Sequence, residues 1–324
     1  MANPGNPNGL AKKLRDRLLV PARKKTNGKL LEWAIRGVSR AGRTLPISYP
    51  MFNGIRHLKN IPYIQDNSRD HTLDIWIPRN AKHPMPVVMY IHGGAFRICS
   101  KESHWIMALM HAKRGFIVFN INYRLAPKNR FPAAVMDVAK ALCWTHENAA
   151  RFGGDPERIT LAGESAGANL VTSLALAGSV RQEEPWAAEL YDRPIPIRAV
   201  MAACGILQVT DSARFARRKP QMSRLSKDVL TNVGVNYLPH QQNPPGTWSL
   251  ADPLVALEKC DKLDRPLPPF FAPAGTKDPI LDDSRRLKKA LNDLNIECEA
   301  PIYTGELHAF HAFVWRKKAK ECWN

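Results

Sequence analysis

Long apolar runs are missing: nothing in the 324 residues approaches the roughly 18 consecutive apolar positions that a membrane-spanning helix needs. The N-terminus also lacks the continuous hydrophobic stretch of a secretory signal, offering only Leu18-Leu19-Val20 between charged residues. Cysteines at metal or redox spacing are absent; Cys99, Cys143, Cys204, Cys260, Cys298 and Cys322 are scattered singly. Together these absences predict a soluble, cytoplasmic protein with free thiols. There is no glycine-rich nucleotide loop and no cluster of His, Cys, Asp and Glu at ligand spacing, so neither a cofactor nor a metal is expected. Internal repeats and low-complexity tracts are missing too, which excludes solenoids and linker arrays. Oligomeric state is not legible.

Negative charge is in short supply: 29 Asp and Glu face 47 Lys and Arg, a formal net charge of +18. Residues 1–60 hold 13 basic residues against Asp16 and Glu32, so the excess is concentrated there. Such a balance suits nucleic acid, an anionic membrane surface or an acidic partner. No nucleic-acid recognition signature accompanies it, and its basic residues mix with the leucine stripe Leu10, Leu14 and Leu18. Nucleic acid is therefore not expected. An ordinary solvated helix face is the plain reading, with peripheral contact to an anionic membrane surface as the alternative.

What the chain does have is ample apolar material, 44% of its residues, arranged as alternating strands and helices. After a Pro/Gly/Asn-rich start, two amphipathic helices are expected, the second through Leu30, Leu31, Ala34, Ile35 and Val38. From about residue 60 the pattern changes: Leu73, Ile75 and Ile77 alternate with polar residues as in a half-buried strand. The runs 87–91 and 116–121 read as strands buried on both faces, and Arg158-Ile159-Thr160-Leu161 as the next. Further strands are expected at 197–203, 270–274 and 297–303, with helices through Val135–Trp144, Leu170–Leu176 and Leu287–Leu294. This order implies an α/β protein with a mostly parallel sheet flanked by helices. The expected organisation is an N-terminal helical cap segment over 1–60 and a catalytic domain over 61–324, with a cap insertion near 208–243.

Gly163-Glu164-Ser165-Ala166-Gly167, set between a strand and a helix, has the form of a nucleophile elbow, in which small flanking residues let a sharp turn expose the serine. A serine hydroxyl is a weak nucleophile at neutral pH, so an imidazole must take its proton and a carboxylate must orient that imidazole. In chain order the acid should follow the serine and the histidine come last. Asp278, after the strand expected near 270–274, fits the acid, while Asp282 and Asp283 suit the cap of the following helix better. His308, after the last expected strand, fits the base, with His311 one helical turn further on as its competitor. His92-Gly93-Gly94-Ala95-Phe96 follows a buried strand, and its glycines let the main chain approach substrate. The N–H groups of Gly93 and Gly94, with that of Ala166, would form an oxyanion hole, each donor supplying about 3–4 kcal/mol. Glu164 reads as a hydrogen-bonding neighbour of the nucleophile, and His92 as structural; Arg124 and Asp137 read as a pair bracing nearby loops.

The His92–Phe96 and Gly163–Gly167 segments are joined by Tyr123-Arg124-Leu125-Ala126-Pro127, Phe131-Pro132-Ala133-Ala134, Gly153-Gly154-Asp155-Pro156, Asp252-Pro253, Asp278-Pro279 and the His308 segment. In this order, over residues 70 to 313, the chain resembles the hormone-sensitive lipase-like branch of the α/β hydrolases, bacterial esterases and their eukaryotic relatives. The resemblance implies the α/β-hydrolase fold with a helical cap, a Ser165/Asp278/His308 triad, an oxyanion hole from Gly93, Gly94 and Ala166, and small ester substrates with short to medium acyl chains. Three positions depart from the usual pattern: Ala168 and Ala309 stand where glycine is common, and Thr304 where proline is. Hydrolysis of amides, carbamates or formamides by the same residues is the alternative, and a non-catalytic ligand-binding module the third. Phe96, Trp33 and the stretch from Val235 to Leu238 are candidates for the acyl pocket.

Overall fold

A computed structural model of the chain describes residues 32–35, 37–79, 84–239 and 249–324. The expected helix around Leu10–Leu18, the positions Leu30 and Leu31 of the second, and residues 240–243 of the insertion lie outside the described residues. Residues 32–35 and 37–43 are helical.

Eight strands form one sheet in the spatial order β1-β2-β4-β3-β5-β6-β7-β9. They are β1 (Ile55–Pro62), β2 (Thr72–Pro78), β3 (Met85–Ile91), β4 (Ile117–Ile121), β5 (Gly154–Glu164), β6 (Ile197–Ala203), β7 (Phe270–Phe271) and β9 (Cys298–Glu299). β8 (Ala274–Gly275) and β10 (Ile302–Tyr303) pair separately and in parallel. β1 pairs antiparallel with β2, and β2 with β4; every later pairing is parallel.

The expected strand at 270–274 is divided at Pro273, and that at 297–303 at Pro301. Proline has no N–H for a ladder, yet its carbonyl still accepts, from Cys204 N–H and Ala274 N–H respectively. The two pieces of each strand thus run on in one direction. β1 was not expected, because an edge strand with Arg56, His57, Lys59 and Asn60 among its residues carries little periodicity. β2 departs from the half-buried reading: Asp74 and Trp76 are buried as fully as Leu73 and Ile75. Asp74 is tolerated there because Lys101 Nζ, itself 1% exposed, donates to it at 2.8 Å and His57 Nε2 lies at 2.9 Å.

Alternation along β3 divides the core. Val87, Met89 and Ile91 face one cluster with α2 (Ala133–Asn148) and α3 (Ala166–Ser179), while Val88 and Tyr90 face another with α1 (Trp105–Ala112) and α9 (Lys317–Trp323). Helices therefore cover both faces of the sheet, as parallel strands require. α4 (Pro185–Asp192) precedes β6, and α5 (Arg214–Arg218), α6 (Arg224–Tyr237) and α7 (Pro253–Glu258) lie between β6 and β7. α8 (Leu281–Asp293) packs beside α7. α5 and α6 fall within the stretch 208–243 that the sequence reading takes as a cap insertion. The C-terminal end of α6 is fixed over the sheet by Arg130, whose Nη1 donates to the carbonyls of Val235, Asn236 and Leu238, and by Phe96 stacked on Tyr237 at 3.7 Å.

Candidate active site

The C-terminal ends of β3, β5, β8 and β10 converge, and each delivers one part of the site. At the end of β5, Ser165 has φ 54 and ψ −113, a conformation that costs a non-glycine residue about 1–3 kcal/mol. The surroundings enforce it: Ser165 N–H donates to Ala203 O at 2.9 Å, and Ser165 O accepts from Asn169 and Ile206. A β-carbon on Gly163 would lie 2.5 Å from the Gly167 carbonyl, and one on Gly167 would lie 2.1 Å from Ile91 O. Only glycine fits at either place, which is the steric reason for the motif's spacing.

The loop after β3 crosses directly over this turn. A β-carbon on Gly93 would come within 2.9 Å of Glu164 O and 3.3 Å of the Ser165 β-carbon, and Gly94, at φ 112, has Ile98 O where a side chain would start. Among the described residues the N–H groups of Gly93, Gly94 and Ala166 meet no hydrogen-bond acceptor. Ala166 is the first residue of α3, where a helix leaves its amides free.

Asp278 is fully buried in the loop after β8; one carboxylate oxygen accepts from Ile280 N–H at 2.9 Å and the other lies 2.9 Å from His308 Nδ1. Burial opposes its charge, but the His308 ring and these donors outweigh that and hold its pKa below the ordinary value. His308 shows the reciprocal effect. Burial would lower its pKa, yet the Asp278 charge, helped by Glu164, raises it above 6.5. Ala309 takes the left-handed conformation (φ 54, ψ 31) that lets the chain turn away from the ring. The Cys204 thiol also stands against the Asp278 carboxylate, a neighbour that no spacing in the sequence announced. Cys204, Asp278 and His308 offer donor atoms within 4.8 Å of one another. The Asp278 oxygens already hold Ile280 N–H and His308, so the set is a hydrogen-bonded relay rather than a cation cage.

Ser165, Gly94, Ala95 and His308 all open on one cavity of about 1460 Å³. Its walls come from Ala34, Ile35 and residues 38–45, from α1, from α6 and from residues 312–315, and they are mostly apolar. Val38, Val229 and Val233 line it. Of the pocket candidates named from sequence, Phe96 is instead wholly buried under Tyr237 and Trp33 is 80% exposed outside the cavity. Val235 is exposed on the far side of α6, because residues two apart on a helix face different ways.

Behind Ser165 lies a cluster that the sequence reading only touched. Glu164 is buried, with Oε1 2.8 Å from His104 Nε2 and Oε2 3.0 Å from His311 Nε2. His311, weighed as the competitor of His308, is 1% exposed and turned to Glu164. His92 stacks on Tyr123 at 4.3 Å; burial, aided by the nearby His104, pushes its pKa down to about 3, so it is neutral. His104 was not foreseen, since 60 residues separate it from its partner. Arg124 donates from its guanidinium and backbone N–H to Asp137, the brace that was expected.

The α/β hydrolase fold family matches residues 88–312. Esterase LipQ of Mycobacterium tuberculosis is 31% identical over 261 residues, 78% of this chain and 56% of that protein. Carboxylesterase NlhH of the same species is 27% identical over 300 residues, 83% and 86% of the two chains. An acetyl esterase of Salmonella enteritidis is 29% identical, covering 68% of this chain and 64% of its own. The chain thus spans little more than half of LipQ and under two thirds of the acetyl esterase. An esterase from Pyrobaculum calidifontis, 23% identical, superposes with a TM-score of 0.69 over 91% of this chain and 90% of that one. The ordered motifs, the sheet and the family match over 88–312 agree: this chain belongs to the α/β-hydrolase fold family, in its hormone-sensitive lipase-like branch.

Proposed function

We propose that the protein is a carboxylic ester hydrolase that works through an acyl-enzyme on Ser165. One observation carries the reading: a strained, half-buried Ser165 and a His308 held by buried Asp278 open on the same cavity, beside three unpartnered N–H groups. As Ser165 Oγ attacks the ester carbonyl carbon, its proton passes to His308, and the carbonyl oxygen becomes an oxyanion held by Gly93, Gly94 and Ala166. Collapse breaks the bond to the alcohol, which leaves with the proton from His308. Water then attacks the acyl-enzyme with His308 as base, and Ser165 is restored. Relatives named esterases support the ester as the bond.

The apolar cavity admits acyl groups larger than acetyl. Amide, carbamate or formamide hydrolysis by the same residues is the competing reading, and matched ester and amide pairs separate the two. Hydrolysis of p-nitrophenyl acetate through hexanoate is the direct test: Ser165→Ala should lower the rate by about 10⁴-fold or more. Equal rates in the two proteins, or failure of a fluorophosphonate to label Ser165, would overturn the reading.

An anionic lipid surface is the partner that best suits the mouth of the cavity. Val38, Leu45, Leu225, Leu307 and Trp315 line it and yet are exposed, and exposed Trp33, Met51 and Phe52 belong to the adjoining N-terminal segment. Arg40, Arg43, Arg224 and Lys277 accompany them without an ion-pair partner among the described residues. Apolar side chains ringed by unpaired cations match the interface of an anionic bilayer.

A further inference from the structure

The Glu164 cluster has a chemistry of its own. Ser103 Oγ accepts from Ser100 N–H and lies 2.8 Å from Ser100 O and 2.9 Å from His104 Nδ1. The other nitrogen of His104 faces the Glu164 carboxylate, an acceptor only. His104 therefore presents its Nε2–H to Glu164. His311 Nε2 approaches the second oxygen, Oε2, to 3.0 Å, an ion-pair distance at which that oxygen makes no hydrogen bond. The carboxylate is thus hydrogen-bonded to His104 on one side and in close polar contact with His311 on the other.

The three residues come from separate pieces of the site. Glu164 immediately precedes Ser165, and its Cγ would lie 3.3 Å from a β-carbon on Gly93 in the loop above. His104 leads into α1, a wall of the cavity. His311 sits in the short helical turn Phe310–Ala312, three residues beyond His308. The turn carries no reacting group, but it fixes where the His308 loop ends.

We propose that Glu164, held between His104 and His311, is a positioning residue that locks the His308 loop against the nucleophile elbow and keeps the His308 ring in register with Ser165. The inference rests on the hydrolase reading of Ser165 and His308. It adds a bridge between the two that the Asp278 hydrogen bond alone does not supply, because Asp278 fixes the ring from the opposite strand. Asp278 faces His308 from the loop after β8, Glu164 from β5 and Cys204 from the end of β6, while Lys219 and Lys277 stand on the cavity wall. Removing the Glu164 charge leaves His308 with one carboxylate fewer and makes it less basic.

Steady-state kinetics on p-nitrophenyl butyrate over a range of pH test the bridge in the full chain. Glu164→Gln should lower kcat by about tenfold or more with KM changed less than about threefold, the pattern of lost alignment rather than lost binding. The acid limb of kcat/KM should also move to lower pH, a shift that a purely structural defect would not produce. His311→Ala should lose kcat similarly, and His311→Gln, which restores an N–H donor toward Glu164, should recover most of it. The histidine pair decides the matter if Glu164→Gln fails to fold by circular dichroism. An unmoved acid limb with parental kcat in Glu164→Gln, or His311→Gln no better than His311→Ala, overturns the bridge while the wild type remains active. A wild type that neither hydrolyses esters nor takes a fluorophosphonate overturns the hydrolase reading itself.

Discussion

At the scale of single residues, His308 sets how activity should vary with pH. Its ring must be neutral to accept the Ser165 proton, and the Asp278 charge outweighs burial to raise its pKa above 6.5. The midpoint of the acid limb of kcat/KM is therefore expected above 6.5, and the rate should fall as pH drops through it. Stability follows the opposite sign: the contribution of a histidine with a raised folded pKa is complete below its unfolded value and is lost as pH rises through the folded one. Asp278→Asn should lower kcat by about 10⁴-fold and move the acid limb down. A pH–rate profile with its limb unmoved in that variant would count against Asp278 as the orienting group. Of this site, Ser165, Asp278, His308 and the glycine loop were legible in the sequence because each needs a residue type at a fixed distance from a strand end. Glu164 was legible only as a neighbour, and His104 and Cys204 not at all. Their roles depend on which side chains the fold brings together across 60 or more residues, and no local spacing records that.

At the scale of elements, the clearest brace joins α5 to α8. Arg214 in α5 forks onto Asp283 in α8 at 2.5 Å to both oxygens, and Asp283 also accepts Leu207 N–H at 2.9 Å. Both side chains are buried, and burial raises the Asp283 pKa in spite of Arg214. The sequence reading placed Asp283 as a helix cap; it serves instead as the acceptor that ties the β6 loop to α5. Arg214→Met would strand a buried carboxylate and should cost about 3–5 kcal/mol in urea unfolding, whereas Arg214→Met with Asp283→Asn should regain much of it. A single-variant loss below about 1 kcal/mol would remove the pair from the account of stability. Strands and long helices were readable because burial on both faces writes an unbroken apolar run. β1, with half its residues polar, and the proline-divided strands after residue 270 wrote no such pattern.

At the scale of the whole molecule, Arg40, Arg43 and Arg224 are close in sequence to the exposed apolar residues Val38, Leu45 and Leu225 that line the cavity mouth. Co-sedimentation with vesicles containing phosphatidylserine should exceed that with phosphatidylcholine alone and should weaken as salt rises. Arg40→Glu with Arg43→Glu should reduce partitioning by about tenfold or more while hydrolysis of soluble p-nitrophenyl acetate is retained. Binding indifferent to lipid charge and salt would sink the assignment. Net charge was legible from composition, but the apolar opening was not, because it is made by segments that range from Ala34 to Trp315. The walls of that opening have a consequence for descent. Ala34, Ile35, residues 38–45, α6 and residues 312–315 shape what the cavity accepts, and none of them holds a reacting atom. Heritable drift at Val38, Val229 or Trp315 can redraw the range of substrates while Ser165, Asp278 and His308 stay where they are, so a lineage can change its diet without relearning its chemistry.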